Sequence, residues 1–226
     1  MSDFTFKGIS ASSLGVVLQT MPPITKAPMR YEKVNVDGRD GSVLIPKGYD
    51  SYPKPLYIGV KDVSRIDDII AWLNGSGKLT ISNEEGKYYD ATVLEQTDFT
   101  SLRKFREANA IFEIQPYKYA VANAPLTFTS TLEVNNDGNV PCLPKLTITG
   151  TSGCTVKLDG VAVFTITSID TSITIDSMET NCYIGETLLN RRMIGDFLEI
   201  PTGSHTITVT GTAITSCRLE LNKRWR

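Results

Sequence analysis

Histidine is almost absent from this chain of 226 residues: there is one, His205. A Ser-His-Asp arrangement needs an imidazole with a pKa near neutrality, so any such triad here would have to use that residue. His205 opens the alternating stretch Ser204-His205-Thr206-Ile207-Thr208-Val209, directly after Pro201-Thr202-Gly203. That is where a surface histidine beside a turn is expected, and catalysis is disfavoured. An excess of charge of one sign is missing too. Lys and Arg number 23 against 25 Asp and Glu, a formal net charge of -2. Without a global positive field to neutralise phosphates, a nucleic-acid-binding domain is disfavoured. Short basic clusters, Arg103, Lys104 and Arg106, then Lys223, Arg224 and Arg226, read as solvated surface.

No apolar run approaches the roughly 18 residues needed to cross a bilayer, so membrane insertion is not expected. Met1-Ser2-Asp3-Phe4-Thr5-Phe6-Lys7 has no basic region followed by an apolar stretch, and a cytosolic product is expected. Cys142, Cys154, Cys182 and Cys217 lack CxxC spacing, so neither a zinc knuckle nor a redox pair is indicated, and buried thiols are expected. Asp37 and Asp40 lie in a loop without the alternating ligands and final Glu of an EF-hand, so turn formation accounts for them better than calcium. Asn74-Gly75-Ser76-Gly77-Lys78 lacks GxxxxGK[ST] spacing and follows a helix pattern where a phosphate loop precedes one. Aromatics make up only 8%, and neither Tyr183 near Gly185 nor Trp225 between two arginines forms an evident sugar platform. No cofactor, metal or catalytic residue is nominated.

Hydrophobic residues at 41% and charged residues at 21% are ordinary globular usage, so a buried core is expected. The length suits two small domains, and the texture changes after Tyr119, which places a boundary between 1–122 and 123–226. In the first half, Tyr31 to Val36 and Ser42 to Ile45 flank Asp37-Gly38-Arg39-Asp40-Gly41, whose two Asp-Gly steps predict a hairpin. Ser64 then caps a helix with Ile66, Ile69, Ile70 and Leu73 on one face, stopped by Asn74-Gly75. Trp72, beside that stripe, is expected to extend the core contact. Ala108, Ala110, Phe112 and Ile114 alternate with polar residues as a half-buried strand, which Pro116 ends. The second half is dense in Thr, Ser, Ile and Val, with strands predicted at Leu146 to Thr149, Thr155 to Leu158, Ala162 to Ile166, Ser172 to Ile175, Thr206 to Thr210 and Arg218 to Leu221. Asp159-Gly160 is a further hairpin signal. The expected class is mainly β: an α+β N-terminal domain, with an antiparallel sheet, a hairpin and one short helix, then a C-terminal β-sandwich.

Several segments in order resemble the distal tail protein family of long-tailed phages infecting Gram-positive bacteria. They are Phe4-Thr5-Phe6-Lys7-Gly8-Ile9 with Ser13-Leu14-Gly15-Val16; Val36-Asp37-Gly38-Arg39-Asp40-Gly41; Asp68 to Leu79; and Ala110 to Tyr119. In the second half they are Asn135 to Asn139, Pro144 to Gly150, Ile173 to Ser177, Gly195-Asp196-Phe197 and Pro201 to Ile207. The resemblance implies a galectin-like, jelly-roll sandwich and a non-enzymatic hub of the tail tip or baseplate. It also implies a homo-hexameric ring, with two rings able to stack, around the channel that DNA traverses without specific binding. Tail tube protein above, a tail-associated baseplate protein below, and receptor-binding or accessory proteins on the sandwich are the implied partners. Its place would be the virion tail tip, after assembly in the host cytoplasm. Gly38, Arg39, Asp40 and Gly41 are the candidate ring-interface hairpin, with Arg39 suited to a bidentate bond with a carboxylate. A carbohydrate-binding adhesin acting through the sandwich is the alternative, and a hydrolase using His205 the distant third.

Overall fold

The computed structural model describes residues 3–93 and 104–226. The chain separates into one unit running up to Val121 and taking in Arg226, and a second, Ala122–Trp225.

In the first unit β1 (Phe4–Phe6) turns back into β2 (Ile9–Ser10), and a short 3-10 turn leads to β3 (Val16–Leu18). Next come β4 (Met29–Asn35), β5 (Ser42–Tyr49), β6 (Tyr52–Val60), the helix α1 (Ile66–Trp72), β7 (Gly75–Ile81), β8 (Lys87–Val93) and β9 (Glu107–Ala120). Apart from β4 and β5, these strands join in the antiparallel order β2-β1-β7-β8-β9-β6-β3. The two ends of that path, β2 and β3, are neighbours in the chain. A flat sheet of seven strands would hold its edges about 29 Å apart, whereas the six residue steps from Ser10 to Val16 reach about 21 Å at most. The sheet therefore curls.

Its concave face is filled by alternate residues of each strand. Phe4, Phe6, Leu56, Ile58, Leu79, Phe112 and Ile114 are all but inaccessible to solvent. The helix plugs this interior. Trp72 stacks on Phe4 with ring centres 5.4 Å apart, and its indole N–H donates to the Phe6 carbonyl at 2.9 Å. Such a side chain stabilises by about 1.5–3 kcal/mol when buried, and the hydrogen bond removes the cost of burying its polar end.

Three local expectations are corrected. The capping residue is Asp62, whose carboxylate accepts the Ser64 N–H at 2.9 Å and starts a 3-10 turn, Val63–Arg65, that runs into α1; Ser64 caps nothing. The buried face of the helix comprises Ile66, Ile69, Trp72 and Leu73, with Ile70 at its margin and exposed. Pro116 does not end its strand, since β9 continues to Ala120. Tyr89 pairs with Lys118 and Ala91 with Ile114, so β9 carries extra residues opposite Asp90, and Pro116, which has no N–H to offer, falls within that bulge.

The second unit is a two-sheet sandwich. Its strands are β10 (Leu126–Phe128), β11 (Thr131–Asn136), β12 (Lys145–Gly150), β13 (Cys154–Leu158), β14 (Val161–Ile166), β15 (Ser172–Asp176), β16 (Asn181–Ile184), β17 (Thr187–Leu188), β18 (Met193–Gly195), β19 (Gly203–Thr210) and β20 (Ile214–Glu220). One sheet runs β10-β20-β12-β15-β16-β17, the other β11-β19-β13-β14-β18. Leu146, Ile148, Ile173, Ile175 and Leu219 from the first meet Val156, Phe164, Ile166, Ile207 and Val209 from the second in one core. Asp159 and Gly160, at φ 52° and 82°, make the tight β13–β14 turn. All four cysteines are buried and free. Burial pushes the thiols of Cys142, Cys154 and Cys217 up to about 11, which leaves them protonated and unreactive near neutrality.

Strand β11 extends to Asn136. Asn136 is buried, and its amide lies 3.1 Å from the carbonyls of Val140, Ile200 and Pro201 while its oxygen accepts the Gly138 N–H at 3.0 Å. Asn136→Ala removes these bonds and leaves the Ile200 carbonyl with the Cys142 N–H, and we expect it to lower the unfolding free energy by about 1–3 kcal/mol in urea denaturation, against under about 0.5 kcal/mol for the exposed control Asn135→Ala.

Candidate assembly site

The hairpin β4–β5 belongs to none of the three larger sheets. Its register pairs Asn35 with Ser42, Val34 with Val43, Lys33 with Leu44, Glu32 with Ile45 and Tyr31 with Pro46. Between Tyr31 and Gly48 only Val34 and Ser42 are even half-buried. Tyr31 and Leu44 are 53% and 56% exposed on one face of the ribbon, and Ile45 and Val43 are exposed on the other. A two-stranded ribbon is marginal by itself in water. Its side-chain ion pair, Lys47 to Glu32 at 2.6 Å, is solvated on both sides and adds little.

All four predicted site residues lie together at the exposed tip of this ribbon. The Arg39 N–H donates to the Val36 carbonyl at 3.2 Å, which closes the turn. Gly38 and Gly41 sit at φ 77° and 81° with nothing near enough to obstruct a Cβ. The demand for glycine there is one of backbone conformation and not of space. The exposed apolar residues further down the ribbon, Tyr31, Val43, Leu44 and Ile45, were not singled out as site residues. Val43-Leu44-Ile45 is the readable signal: three consecutive apolar residues put apolar groups on both faces of a strand, which a strand with one buried face does not need.

His205 and Asp159 meet in the sandwich. Asp159 Oδ2 lies 2.7 Å from His205 Nδ1, and Asp159 Oδ1 accepts the Thr206 N–H at 2.8 Å. His205 Nε2 faces the Thr202 carbonyl at 3.4 Å, the place a serine hydroxyl would occupy in a triad, so the pair ties the β13–β14 turn to β19. Among the basic clusters, Arg103 lies outside the described residues. Arg106 has φ 61° and its carbonyl accepts the Val60 N–H at 2.9 Å, a structural junction between β9 and β6. Tyr183 is half-buried in β16, paired across the strand with Leu188. Among the described residues no cluster of His, Cys, Asp and Glu has metal-binding geometry, and no helix is long and apolar enough to cross a membrane.

The fold assembled from these two units is that of phage hub and baseplate proteins. The crystal structure of SPP1 Dit, a paradigm of the hub adsorption apparatus in phages that infect Gram-positive bacteria, matches with a TM-score of 0.72 over 97% of this chain and 98% of that one, at 14% identity. Chains of the phage P2 baseplate in its activated conformation match with TM-scores of 0.53 (8% identity, 100% of this chain and 98% of that one) in the structure with Ca and 0.50 (10% identity, 97% and 98%) in that with Sr. No protein-family model and no curated protein matches the chain.

Asp159 raises the pKa of His205 by its hydrogen bond, and the Thr206 N–H with the imidazole holds Asp159 below the usual carboxylate range. The stability contributed by the histidine is complete below its unfolded pKa near 6.5 and is lost as pH rises through the higher folded value; the aspartate's share is present above its unfolded value near 3.8 and is lost as pH falls through the lower folded one. His205 is the sole histidine. His205→Asn should therefore lower the calorimetric melting temperature at about pH 5.5 by more than it does at about pH 8.5, because the imidazole's contribution falls as it loses its proton.

Proposed function

We propose that this protein is a structural hub of a phage tail tip, with no catalytic role of its own. Its first unit forms a six-membered ring around the DNA channel, and two such rings are able to stack face to face. The ring joins the tail tube above to a baseplate protein below, and the sandwich offers a platform for receptor-binding or accessory proteins. Two findings support this reading: the likeness to SPP1 Dit over nearly the whole chain, and the hairpin from Met29 to Tyr49.

The hairpin carries the argument. It exposes apolar side chains on both faces and touches the sheet core through Tyr49 at its base, so most of its length lacks within one chain the support that a ribbon requires. A cyclic ring demands a heterologous contact, one surface meeting a different one on the next copy, and a projecting ribbon supplies the first of these. On the convex side of the curled sheet, Val17 of β3 and Tyr57 of β6 are exposed and apolar, which suits them to receive it. Arg39 at the tip is then placed to grip a carboxylate of the neighbour through its planar fork.

Gly38→Val with Gly41→Val forces a β-branched side chain into positive φ at both corners of the tip, and Leu44→Glu places a charge on the contact without disturbing the turn. Both variants should reduce the ring fraction of purified protein at least about tenfold by light scattering and negative-stain microscopy, with unchanged circular dichroism. Rings of undiminished yield in both would remove the hairpin from the interface.

A further inference from the structure

The segment from Gln19 to Pro28 links β3 to the hairpin without any regular structure. Pro22 and Pro23 deprive it of two N–H groups, so it cannot join a ladder as an ordinary strand. Three of its carbonyls are instead held by side chains. Asn83 Nδ2 donates to Pro22 O at 2.9 Å, Lys54 Nζ to Pro23 O at 2.9 Å, and the Tyr52 hydroxyl to Thr25 O at 3.1 Å. Ala27, just before the hairpin, is buried in the core of the unit.

Lys54 points into the sheet interior and is only 3% exposed. Around it lie Glu84, Tyr89 and Lys118, all buried. Glu84 accepts a bond from Lys118 Nζ at 2.6 Å through one oxygen and the Tyr89 hydroxyl through the other. Both ammonium groups stand over the Tyr89 ring, at 5.1 Å for Lys54 and 5.8 Å for Lys118. Burial tends to raise the Glu84 carboxyl, but the bonds from Lys118 and Tyr89 outweigh it and hold the group ionised; burial lowers the Lys54 pKa. Two lysines thus share one carboxylate in a dry place. A methionine would fill the position of Lys54 without the cost of desolvating a charge. What the ammonium adds is its reach to the Pro23 carbonyl.

We propose that Tyr52, Lys54 and Asn83 form a clasp on the strap 19–28, which fixes the direction in which the hairpin leaves the sheet, and that Glu84, itself anchored by Lys118, and the Tyr89 ring hold Lys54 in place for it. The clasp is a property of the single chain. Only its consequence, presentation of the hairpin at the angle a neighbour can accept, rests on the ring reading.

Trypsin tests it on the full-length protein. Lys26 is exposed but the next residue, Ala27, is buried, so the bond between them is cut only when the strap lifts. Two variants are made, Lys54→Met and the pair Tyr52→Phe with Asn83→Ala. In each, cleavage after Lys26 should accelerate about tenfold relative to cleavage after Arg39 in the exposed tip, while cleavage after the buried Lys118 keeps its wild-type rate. An unchanged Lys26 rate overturns the proposal, and so does a rise at Lys26 matched by one at Lys118, which marks loosening of the whole unit. Should Lys54→Met fail to fold, the Tyr52 and Asn83 pair decides by the same criteria. Ring yield is measured separately: a wild-type protein that never associates defeats the ring reading and leaves the strap result standing.

Discussion

Five residues, Ala11 to Gly15, separate the two outermost strands of the first sheet, and most of what the unit can do follows from that short tether. It bends the sheet until its ends approach, which gives the sheet an inside. The inside admits Phe4, Phe6, Phe112 and one helix, and it is then full. The hairpin β4–β5, inserted in the chain between the edge strand β3 and its neighbour β6, joins none of the strands of this sheet. Its exposed side chains are apolar enough to have joined a core.

The polar interior reinforces this division. A lone buried lysine is costly. Here the cost is offset by a carboxylate, an aromatic ring and a backbone carbonyl. The carbonyl belongs to the one irregular stretch that the sheet has to restrain. In the sandwich the same logic appears in neutral form, with the Asn136 side chain serving backbone groups of two loops. In both units, buried polar side chains stand where the backbone departs from regular structure.

Much of this was legible in the residues. The Asp-Gly steps announced both the hairpin tip and the β13–β14 turn, since positive φ at low cost is a local property of those residue types. The alternation from Ala108 to Ile114 marked a strand with one buried face. Other features are tertiary and left weaker traces. Pro116 argued for a strand end, yet a bulge opposite Asp90 absorbs it. Asn83 carries no local pattern that separates it from surface polar residues. Lys54 shares the face of β6 that Tyr52, Leu56, Ile58 and Val60 bury, an alternation that its charge and the flanking prolines mask. The strands β16, β17 and β18 are short, and β17 and β18 each pair on one side only, so their residues were under little demand to alternate.

The two long sides of the hairpin are unlike each other. β5 contains Pro46, which subtracts a donor from its backbone, and Gly48 at φ 101°, which twists its far end, whereas β4 has neither. An extended chain that docks edge-on therefore finds a continuous row of donors and acceptors along one flank and a broken row along the other. The arm is thus asymmetric in its backbone as well as in its side chains, with its irregularities gathered on the β5 side.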